Sequence, residues 1–513
     1  MELQNFPSNF ITFFFFAAIL LTLIKEWKTY KNSKTMQKFP PGPWKLPFIG
    51  CMHHLIGSLP HRSLNNLGKK YGPIMHLQLG EVSAIVVSSA NLAKEIMKTH
   101  DLAFATRPEL LAFKIICYGS SDIAFAPYGD YWRQMRKICV LELLSTKSVR
   151  SFHNIRQDEV LNLVEAIRHL VGKKVNFTEQ VFSYSSSMIC TAAFGQVSRE
   201  DQYEFVGLMK QVAALAGGFD IADLFPSYKI LHFLTGMEPK LLKVHHKIDI
   251  IFGKVIEKHI HENQTTKKEG VAESGHEDLI DVLLRIRDSG DLQFPITNNN
   301  IKAIIFDMFA AGTETSSSTV EWAMSELIKN PNVMAKAQKE IRQAFKGKQK
   351  IDETDIQGLR YLKLLIKETL RLHPPFPLIL PRECRKQCEV NGYTIPIKTK
   401  VMVNVWAIAR DPEYWRDPES FEPERFENNL VDFAGNHFEF LPFGAGRRIC
   451  PGMSFALVNV ELPLALLLYH FNWKLPDGMD SSDLDMLENN GITATRKNNL
   501  QLVPSLYDPA VDI

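Results

Sequence analysis

The sequence has little that would divide the chain, crosslink it or give it a strong charge. Its 513 residues carry a net charge of only +2, which argues against a nucleic-acid-binding protein. The seven cysteines are an odd number without regular spacing, which is no disulfide framework and is typical of a reducing compartment. No linker rich in proline or serine separates one part of the chain from another. With 45% hydrophobic residues, we predict one large globular unit behind an N-terminal segment.

The N-terminal segment contains an apolar run, residues 10–24, that is interrupted only by threonines. As a helix it would span about 22 Å, somewhat less than the ~27 Å core of a thin bilayer. A cleaved signal peptide is the alternative, but no basic residue precedes the run and no small-x-small cleavage site follows it. Five lysines between residues 25 and 38 would keep the rest of the chain in the cytosol. We predict a membrane anchor (residues 1–24), a basic flank and proline-rich hinge (25–50), and the main domain (51–513).

One short stretch, PFGAGRRICPG at residues 442–452, places a cysteine after a glycine-bearing loop and before an apolar helical run. A lone cysteine is usually a small buried hydrophobe. Here Gly444 and Gly446 allow the backbone to approach a flat ligand closely, and a following helix N-terminus favours a thiolate at Cys450. The stretch resembles the haem-binding loop of the cytochrome P450 monooxygenases, in which this cysteine is the proximal ligand of the iron.

A second stretch lies in a long predicted helix, capped by Thr297 or Asn298 and ending near Asn330. Its apolar middle contains a glycine, an acid and hydroxyl residues, three departures from a buried helix that together indicate a functional site. Splitting dioxygen requires two protons in a dry pocket. We expect Thr315 to hold the oxygen and a water and Glu314 to pass protons, since Ala311 to Ser316 resemble the family's oxygen-activation motif.

The resemblance also implies roles for residues that would otherwise be given ordinary ones. Trp132 and Arg136, four residues apart on a helix that begins at Asp130, would on their own be read as a cation–π surface pair. Glu368 and Arg371 would be read as a surface ion pair of little value. The family match instead implies a buried, purely structural network of Glu368, Arg371 and Arg425. It implies haem contacts for Trp132, Arg136, Arg382, Phe443 and Arg448.

The predicted substrate cavity is apolar. The resemblance implies that residues 373–383 form a strand above the haem and that residues 490–495 enter the cavity as a loop, with residues 121–125 as its roof. Phe376 is larger than the aliphatic residue common in relatives and should narrow the space. Because the lining candidates carry no charge, Asp122 excepted, we expect an apolar substrate. The candidate lining residues are Ile304, Ala311, Phe376, Leu378, Ile379, Ile492 and Ala494.

Two further local predictions concern secondary structure. Alternating apolar residues predict strands at 74–79 and 84–87. The polar, glycine-containing segment 262–278 predicts a solvated loop between helices.

The resemblance covers about residues 38–507 and, within the family, is strongest to plant A-type members that hydroxylate sesquiterpenes. It implies a mainly α fold with small β-sheets, one haem b, and a cytosolic haem domain anchored to the endoplasmic reticulum. It implies an NADPH- and O2-dependent monooxygenase that hydroxylates an apolar terpenoid and receives electrons from NADPH–cytochrome reductase. A monoterpene or an indole alkaloid is the alternative substrate. A haem-thiolate isomerase or dehydratase that needs no reductase, and a non-catalytic haem sensor, are the alternative functions.

Overall fold

The structure is a computed structural model that describes residues 38–195, 199–216, 221–228, 235–269, 277–290, 292–348 and 350–508. The predicted membrane anchor, residues 1–24, lies outside the described residues, as does most of the basic flank. Helices dominate the described part of the chain, as predicted. The α-helices are Pro60–Tyr71, Ala90–Lys94, Leu111–Ile116, Asp130–Ile138, Thr146–Ser151, His153–Arg168, Phe177–Phe194, Arg199–Ala216, Ile221–Leu224, Met237–Glu269, Leu279–Ser289, Asn298–Lys329, Pro331–Ala344, Glu353–Ile356, Arg360–Leu372, Val405–Ile408 and Met453–His470.

Shorter helical turns connect some of these elements. The 3₁₀ turns are Met52–Leu55, Asp101–Phe104, Pro423–Phe426, Gly446–Arg448 and Ser481–Asp483, and the π-helical segments are Glu95–Thr99 and Cys139–Leu143.

The strands of the described residues are β1 (Ile74–Leu79), β2 (Val82–Val87), β3 (Val175–Asn176), β4 (Arg382–Glu383), β5 (Cys388–Val390), β6 (Tyr393–Ile395), β7 (Lys400–Val403), β8 (Phe471–Lys474) and β9 (Gln501–Leu506). They form three small sheets. The largest has the order β1-β2-β7-β4, in which β1 and β2 are an antiparallel hairpin and β7 pairs with β2 in parallel. The two predicted strands are confirmed as β1 and β2. The second sheet has the order β3-β9-β8, and the third is the hairpin β5-β6.

The long predicted helix is confirmed as Asn298–Lys329, which we call the central helix. Thr297 caps its first turn in a reciprocal arrangement with Asn300, which satisfies backbone N–H groups that have no partner within the helix. The next helix begins directly at Pro331. Most of the central helix is buried, and it contributes to both large apolar clusters of the core. It is therefore a rigid support for the side chains in its middle.

The prediction of a loop at 262–278 is wrong for its first part, because the helix Met237–Glu269 continues through it. Polar residues without glycine or proline are compatible with an exposed helix, and Lys258 pairs with Glu262 one turn later at 3.9 Å. The described part of this helix reaches Glu269, and residues 270–276 of the predicted loop lie outside the described residues.

The predicted structural network is confirmed in its contacts. The Glu368 carboxylate accepts hydrogen bonds from both Arg371 (2.7 and 2.8 Å) and Arg425 (2.9 Å), and neither Glu368 nor Arg371 has any exposed surface. Arg371 also donates to the carbonyl oxygens of Ala409 and Pro418, both at 2.7 Å. The network thus joins the helix Arg360–Leu372 to the segment that leads into the cysteine loop.

Candidate functional site

The cysteine loop, residues 442–452, turns tightly at two glycines. Gly444 and Gly446 have φ angles of +70° and +69°, which residues with a Cβ adopt only with strain. At Gly446 a Cβ would also lie 2.1 Å from the carbonyl oxygen of Met97. The backbone N–H of Cys450 donates to the Phe443 carbonyl at 2.9 Å, which closes the loop. The following helix starts at Met453, so that Pro451 lies in the turn before it.

Different features of the surroundings of Cys450 shift the pKa of its thiol in opposite directions. Burial raises its pKa, whereas a hydrogen bond from the Gly452 backbone and the positive charge of Arg136 lower it. Burial dominates in the protein alone. A cationic metal at the sulfur would reverse this balance, because coordination stabilises the thiolate directly.

A single cavity of 690 Å³ extends from the cysteine loop to the central helix. It is therefore in the size range of cofactor and substrate sites. Cys450 and the central helix line the same space, as the motifs predicted. The predicted site residues in its wall are Arg136, Ala311, Glu314, Thr315, Phe376, Ile379, Arg382, Phe443, Arg448, Cys450 and Ile492.

Three predicted lining residues do not line the cavity. The cavity reaches along the central helix only as far as Phe306, and Ile304 packs into the core beyond it. Ala494 is buried, and its carbonyl accepts a hydrogen bond from the Trp322 indole at 2.7 Å. Leu378 packs toward the apolar cluster under the four-stranded sheet.

The misplacement of Leu378 has a local cause. Residues 373–383 are not a continuous strand as predicted, and β4 comprises only Arg382–Glu383. The Ile379 N–H donates to the Phe376 carbonyl at 3.0 Å, which makes a turn. Ile379 has a φ angle of +42°, an unusual conformation for a β-branched residue. The alternation of a strand is broken here, so Phe376 and Ile379 face the cavity while Leu378 does not.

Four guanidinium groups line the cavity near the cysteine loop: those of Arg107, Arg382 and Arg448, which are buried, and that of Arg136, which is half-buried. Burial lowers the pKa of each of them, to about 10 for Arg382 and to about 9 for Arg448. The Nε and Nη1 atoms of Arg382 make no hydrogen bond, and Nη1 has a carboxylate oxygen of Asp101 only at 3.6 Å. The excess of buried positive charge favours an anionic ligand in this part of the cavity.

These observations fit a haem. A thiol faces a cavity large enough for a flat cofactor, and unpaired guanidinium N–H groups lie at the same end to bind its two carboxylates. Trp132, predicted to share this task with Arg136, stands behind the cavity wall, where its indole N–H donates to the Ile123 carbonyl at 3.0 Å. Arg136 donates to the Ile449 carbonyl and so joins its helix to the cysteine loop.

On the opposite side, the hydroxyl of Thr315 donates to the Ala311 carbonyl one turn earlier. Burial raises the pKa of Glu314, and a hydrogen bond with Thr493 partly offsets this effect. Packing explains why residue 312 is a glycine, because a Cβ there would lie 2.7 Å from the side chain of Ile189 on the helix Phe177–Phe194. The neighbouring helix can therefore approach the central helix closely at the position of the two functional candidates.

Two charged residues in the cavity wall were missed by the sequence analysis. Asp307 accepts hydrogen bonds from the backbone of the predicted roof, and Arg107 donates to the Ala124 carbonyl at 3.0 Å. The cavity wall is thus less uniformly apolar than predicted. Asp307 could have been noticed as an acid within the apolar run 303–311, whereas no local signal marks Arg107.

Comparison with known proteins places these features in one family. Residues 40–502 match the family model described as Cytochrome P450. The chain is 62% identical over 502 residues to premnaspirodiene oxygenase of Hyoscyamus muticus, covering 98% of this chain and 99% of that one. It is 58% identical to 5-epiaristolochene 1,3-dihydroxylase of Nicotiana tabacum over 504 residues, with 98% and 99% of the two chains covered. It is 55% identical to tabersonine 3-oxygenase of Catharanthus roseus over 510 residues, again with 98% and 99% covered.

The fold has a counterpart among solved structures. A zebrafish cytochrome P450 solved with abiraterone superposes with a TM-score of 0.74 at 24% sequence identity. The superposition covers 87% of this chain and 99% of the zebrafish chain.

Proposed function

The chain belongs to the cytochrome P450 family and is a haem-dependent monooxygenase, and from this premise we propose that it hydroxylates an apolar terpenoid, namely a sesquiterpene. The observation that carries the proposal is an apolar cavity wall beside Thr315, in a chain 58–62% identical to two enzymes named for sesquiterpene oxidation. Ala311, Phe376, Ile379 and Ile492 supply the apolar surface beside the hydroxyl.

Cys450 is the residue that would bind the haem iron, and Arg136, Arg382 and Arg448 are the residues that would hold its carboxylates. When bound, the haem supplies the oxidising power for inserting an oxygen atom from O2 into an unactivated C–H bond. The cysteine loop holds the sulfur in one position through its glycine turns and the backbone bond from Cys450 to Phe443. The Glu368 network fixes the segment behind this loop, and its role is structural.

Thr315 and Glu314 handle protons on the opposite side of the cavity. The Thr315 hydroxyl lines the space and can donate to a water or to a reacting oxygen in place of the Ala311 carbonyl. Burial raises the pKa of Glu314, which keeps a larger share of its carboxyl groups protonated near neutral pH. Glu314 is only partly buried and lines the cavity, so its carboxyl group can exchange a proton with water held in that space.

As a member of this family the enzyme takes electrons from a redox partner, and we assign that role to an NADPH–cytochrome reductase that docks on the cysteine side. The helix Asp130–Ile138 lies against the cysteine loop through Arg136. Arg133 and Lys137 on its outer face are exposed, as is Arg447 of the loop. These cations form a surface suited to an acidic partner.

We assign the enzyme to the endoplasmic reticulum membrane, with its haem domain in the cytosol. The predicted anchor supports this location. The described chain just after it exposes several apolar side chains, with Trp44 60%, Phe48 55% and Ile56 78% accessible. Such residues suit a membrane-facing surface.

The direct experiment incubates microsomes that contain the enzyme and its reductase with a panel of sesquiterpenes, monoterpenes and indole alkaloids. We expect NADPH-dependent hydroxylation of a sesquiterpene, with the added oxygen derived from labelled O2. Oxidation of alkaloids alone would overturn the substrate assignment. Turnover of a hydroperoxide without NADPH, and no hydroxylation of any compound, would favour an isomerase or dehydratase instead.

A further inference from the structure

The roof of the cavity is a loop whose backbone is held by side chains from other parts of the chain. We call residues 121–126 the roof loop. Ile123, Ala124 and Phe125 line the cavity, and Phe125 stacks on Phe113 with ring centroids 3.5 Å apart. The loop has no helical or strand partners, so its backbone N–H and C=O groups must be satisfied elsewhere.

Two carboxyl groups accept the hydrogen bonds of the roof loop N–H groups. One oxygen of Asp307 on the central helix, Oδ2, accepts from Ile123 at 2.7 Å and from Ala124 at 3.2 Å. Asp122 accepts from Phe125 at 2.9 Å within the loop itself. Three consecutive N–H groups are thus fixed by two side chains.

Arginines hold the carbonyl side of the same loop. Arg107 donates to Ala124 through Nε, and through Nη1 to the carbonyls of Leu380 and Pro381 at 2.6 and 2.9 Å. Arg448 donates to Ile123 at 3.1 Å. Arg107 therefore ties the roof loop to the wall segment that carries Phe376 and Ile379, and any movement of the roof would strain these bonds.

The two carboxyl groups also face each other. Side-chain oxygens of Asp122 and Asp307, together with the sulfur of Cys117, lie within 4.8 Å of one another, and all three residues are buried. Two carboxylates this close in a dry site cannot both be ionised. Burial raises the pKa of Asp307 and of Asp122, the latter to about 6. One proton shared between them makes the pair stable beneath the roof loop.

We propose that Asp307 is a positioning residue: by fixing the backbone of the roof loop above the oxygen-activating residues, it determines which carbon of the substrate is presented for oxidation. The effect on the oxidised carbon can be measured only if the proposed hydroxylation occurs. The effect on the roof loop itself does not depend on that proposal. Asp307 acts through the N–H groups of Ile123 and Ala124. An amide oxygen can accept the same two hydrogen bonds. Asp307→Asn should therefore keep the roof loop in place, whereas Asp307→Ala should not.

The structural part is tested on the holoenzyme by hydrogen–deuterium exchange of the peptide covering residues 118–128. With Asp307→Ala, exchange at this peptide should become about thirty-fold faster, since two hydrogen bonds of about 1 kcal/mol each are lost. Asp307→Asn should exchange like the wild type. Ile305→Val, a buried substitution on the same helix outside the cavity, is the matched control.

The specificity part is tested by the ratio of oxidised positions in the product. Asp307→Ala should change this ratio by at least about five-fold, the factor that a single one of its two lost hydrogen bonds is worth, and Asp307→Asn should leave it unchanged. If Asp307→Ala does not bind haem, Asp307→Leu, which also removes the acceptor but leaves a smaller void, serves in its place. An unchanged ratio, or unchanged exchange, in the alanine variant would overturn the proposal.

The asparagine variant tests the remaining alternative, which is a direct effect of the Asp307 charge on the substrate. If Asp307→Asn alters the ratio as strongly as Asp307→Ala, the charge of Asp307 acts on the substrate directly and the proposal is wrong. If the wild type oxidises no terpenoid, the proposed function fails, while the exchange experiment still decides whether Asp307 holds the roof loop.

Discussion

The two sides of the cavity are built in different ways. The cysteine side is held by an ion-pair network whose centre, Glu368 and Arg371, is fully buried, and by a loop whose glycines have positive φ angles. The opposite side is covered by the roof loop and the wall segment, which have little regular structure and depend on hydrogen bonds from Arg107 and Asp307. In the proposed function the first arrangement would hold the haem, and the second would shape the space for the substrate.

This difference indicates which side of the cavity tolerates amino-acid substitutions. An unpaired charge in the Glu368 network would destabilise the whole fold, because the backbone carbonyls around Arg371 carry no counter-charge and water does not reach the site. A change in the roof or wall alters only local hydrogen bonds and cavity shape. Enzymes that share the cysteine side can therefore differ in the compounds that they oxidise.

The largest effect is expected from Glu368→Ala. Removal of this carboxylate leaves Arg371 buried without its partner, and the free energy of unfolding should fall by about 3–5 kcal/mol. The measurement is denaturant unfolding together with the yield of haem-loaded protein. Glu165→Ala is the matched control, since Glu165 and Arg168 have the same spacing on an exposed helix face and should contribute at most about 1 kcal/mol. Equal losses in the two variants would contradict the structural role of the network.

The next effect concerns proton delivery. Thr315→Ala should lower the product formed per NADPH by about ten-fold or more, because a positioned proton donor is worth about 10²–10⁴ in rate. NADPH consumption should continue and reduced oxygen species should accumulate. The measurement compares product, NADPH and hydrogen peroxide in the same reaction. Tight coupling with undiminished product would remove the role assigned to this hydroxyl.

A smaller effect is expected from the wall. Phe376→Ala enlarges the cavity and should change the ratio of oxidised positions several-fold, about the effect of 1 kcal/mol in substrate orientation. Ile304→Val, in the core outside the cavity, should cost about 0.5–1.5 kcal/mol in stability and leave that ratio unchanged. Product analysis by gas chromatography distinguishes the two. A changed ratio in the Ile304 variant would mean that the cavity reaches further than described.

The smallest effect is expected at the buried pair of His259 and Asp278, neither of which lines the cavity. Their Nε2 and Oδ2 atoms are 2.7 Å apart. Burial lowers the pKa of His259, but the hydrogen bond and charge of Asp278, with some help from Asp281, raise it to about 9. A raised pKa means that the pair stabilises the fold fully below the ordinary histidine pKa of about 6.5 and loses this effect as the pH rises through about 9.

This pH effect can be measured as the apparent melting temperature between pH 6 and pH 9.5. The wild type should lose a few degrees relative to His259→Gln over this range, at about 1 °C per kcal/mol for a chain of this size. Parallel curves for the two proteins would show that the pair makes no pH-dependent contribution.

The sequence predicted the cysteine side better than the substrate side, for physical reasons. Cys450 and its glycines are residue types at short spacing, so their pattern is visible locally. The buried network of Glu368 was expected only from the family resemblance, because Arg425 lies 57 residues away from it. The central helix was predicted almost to the residue because Thr297 and Pro331 mark its ends. Leu378 was wrongly predicted in the cavity wall because a turn at Ile379 breaks the strand alternation, and no residue type in this segment indicates that turn. Arg107 bonds to carbonyls more than 270 residues away in the chain, which only the fold reveals.

The central claim is that the sulfur of Cys450 binds haem iron on one side of the cavity. Reduced holoenzyme exposed to carbon monoxide should show the red-shifted absorption band that is specific to thiolate-ligated haem. In Cys450→His, haem-loaded protein should show only the band of histidine-ligated haem. Folded, haem-loaded wild-type protein without the red-shifted band, or a Cys450→His variant that retains it, would contradict the account.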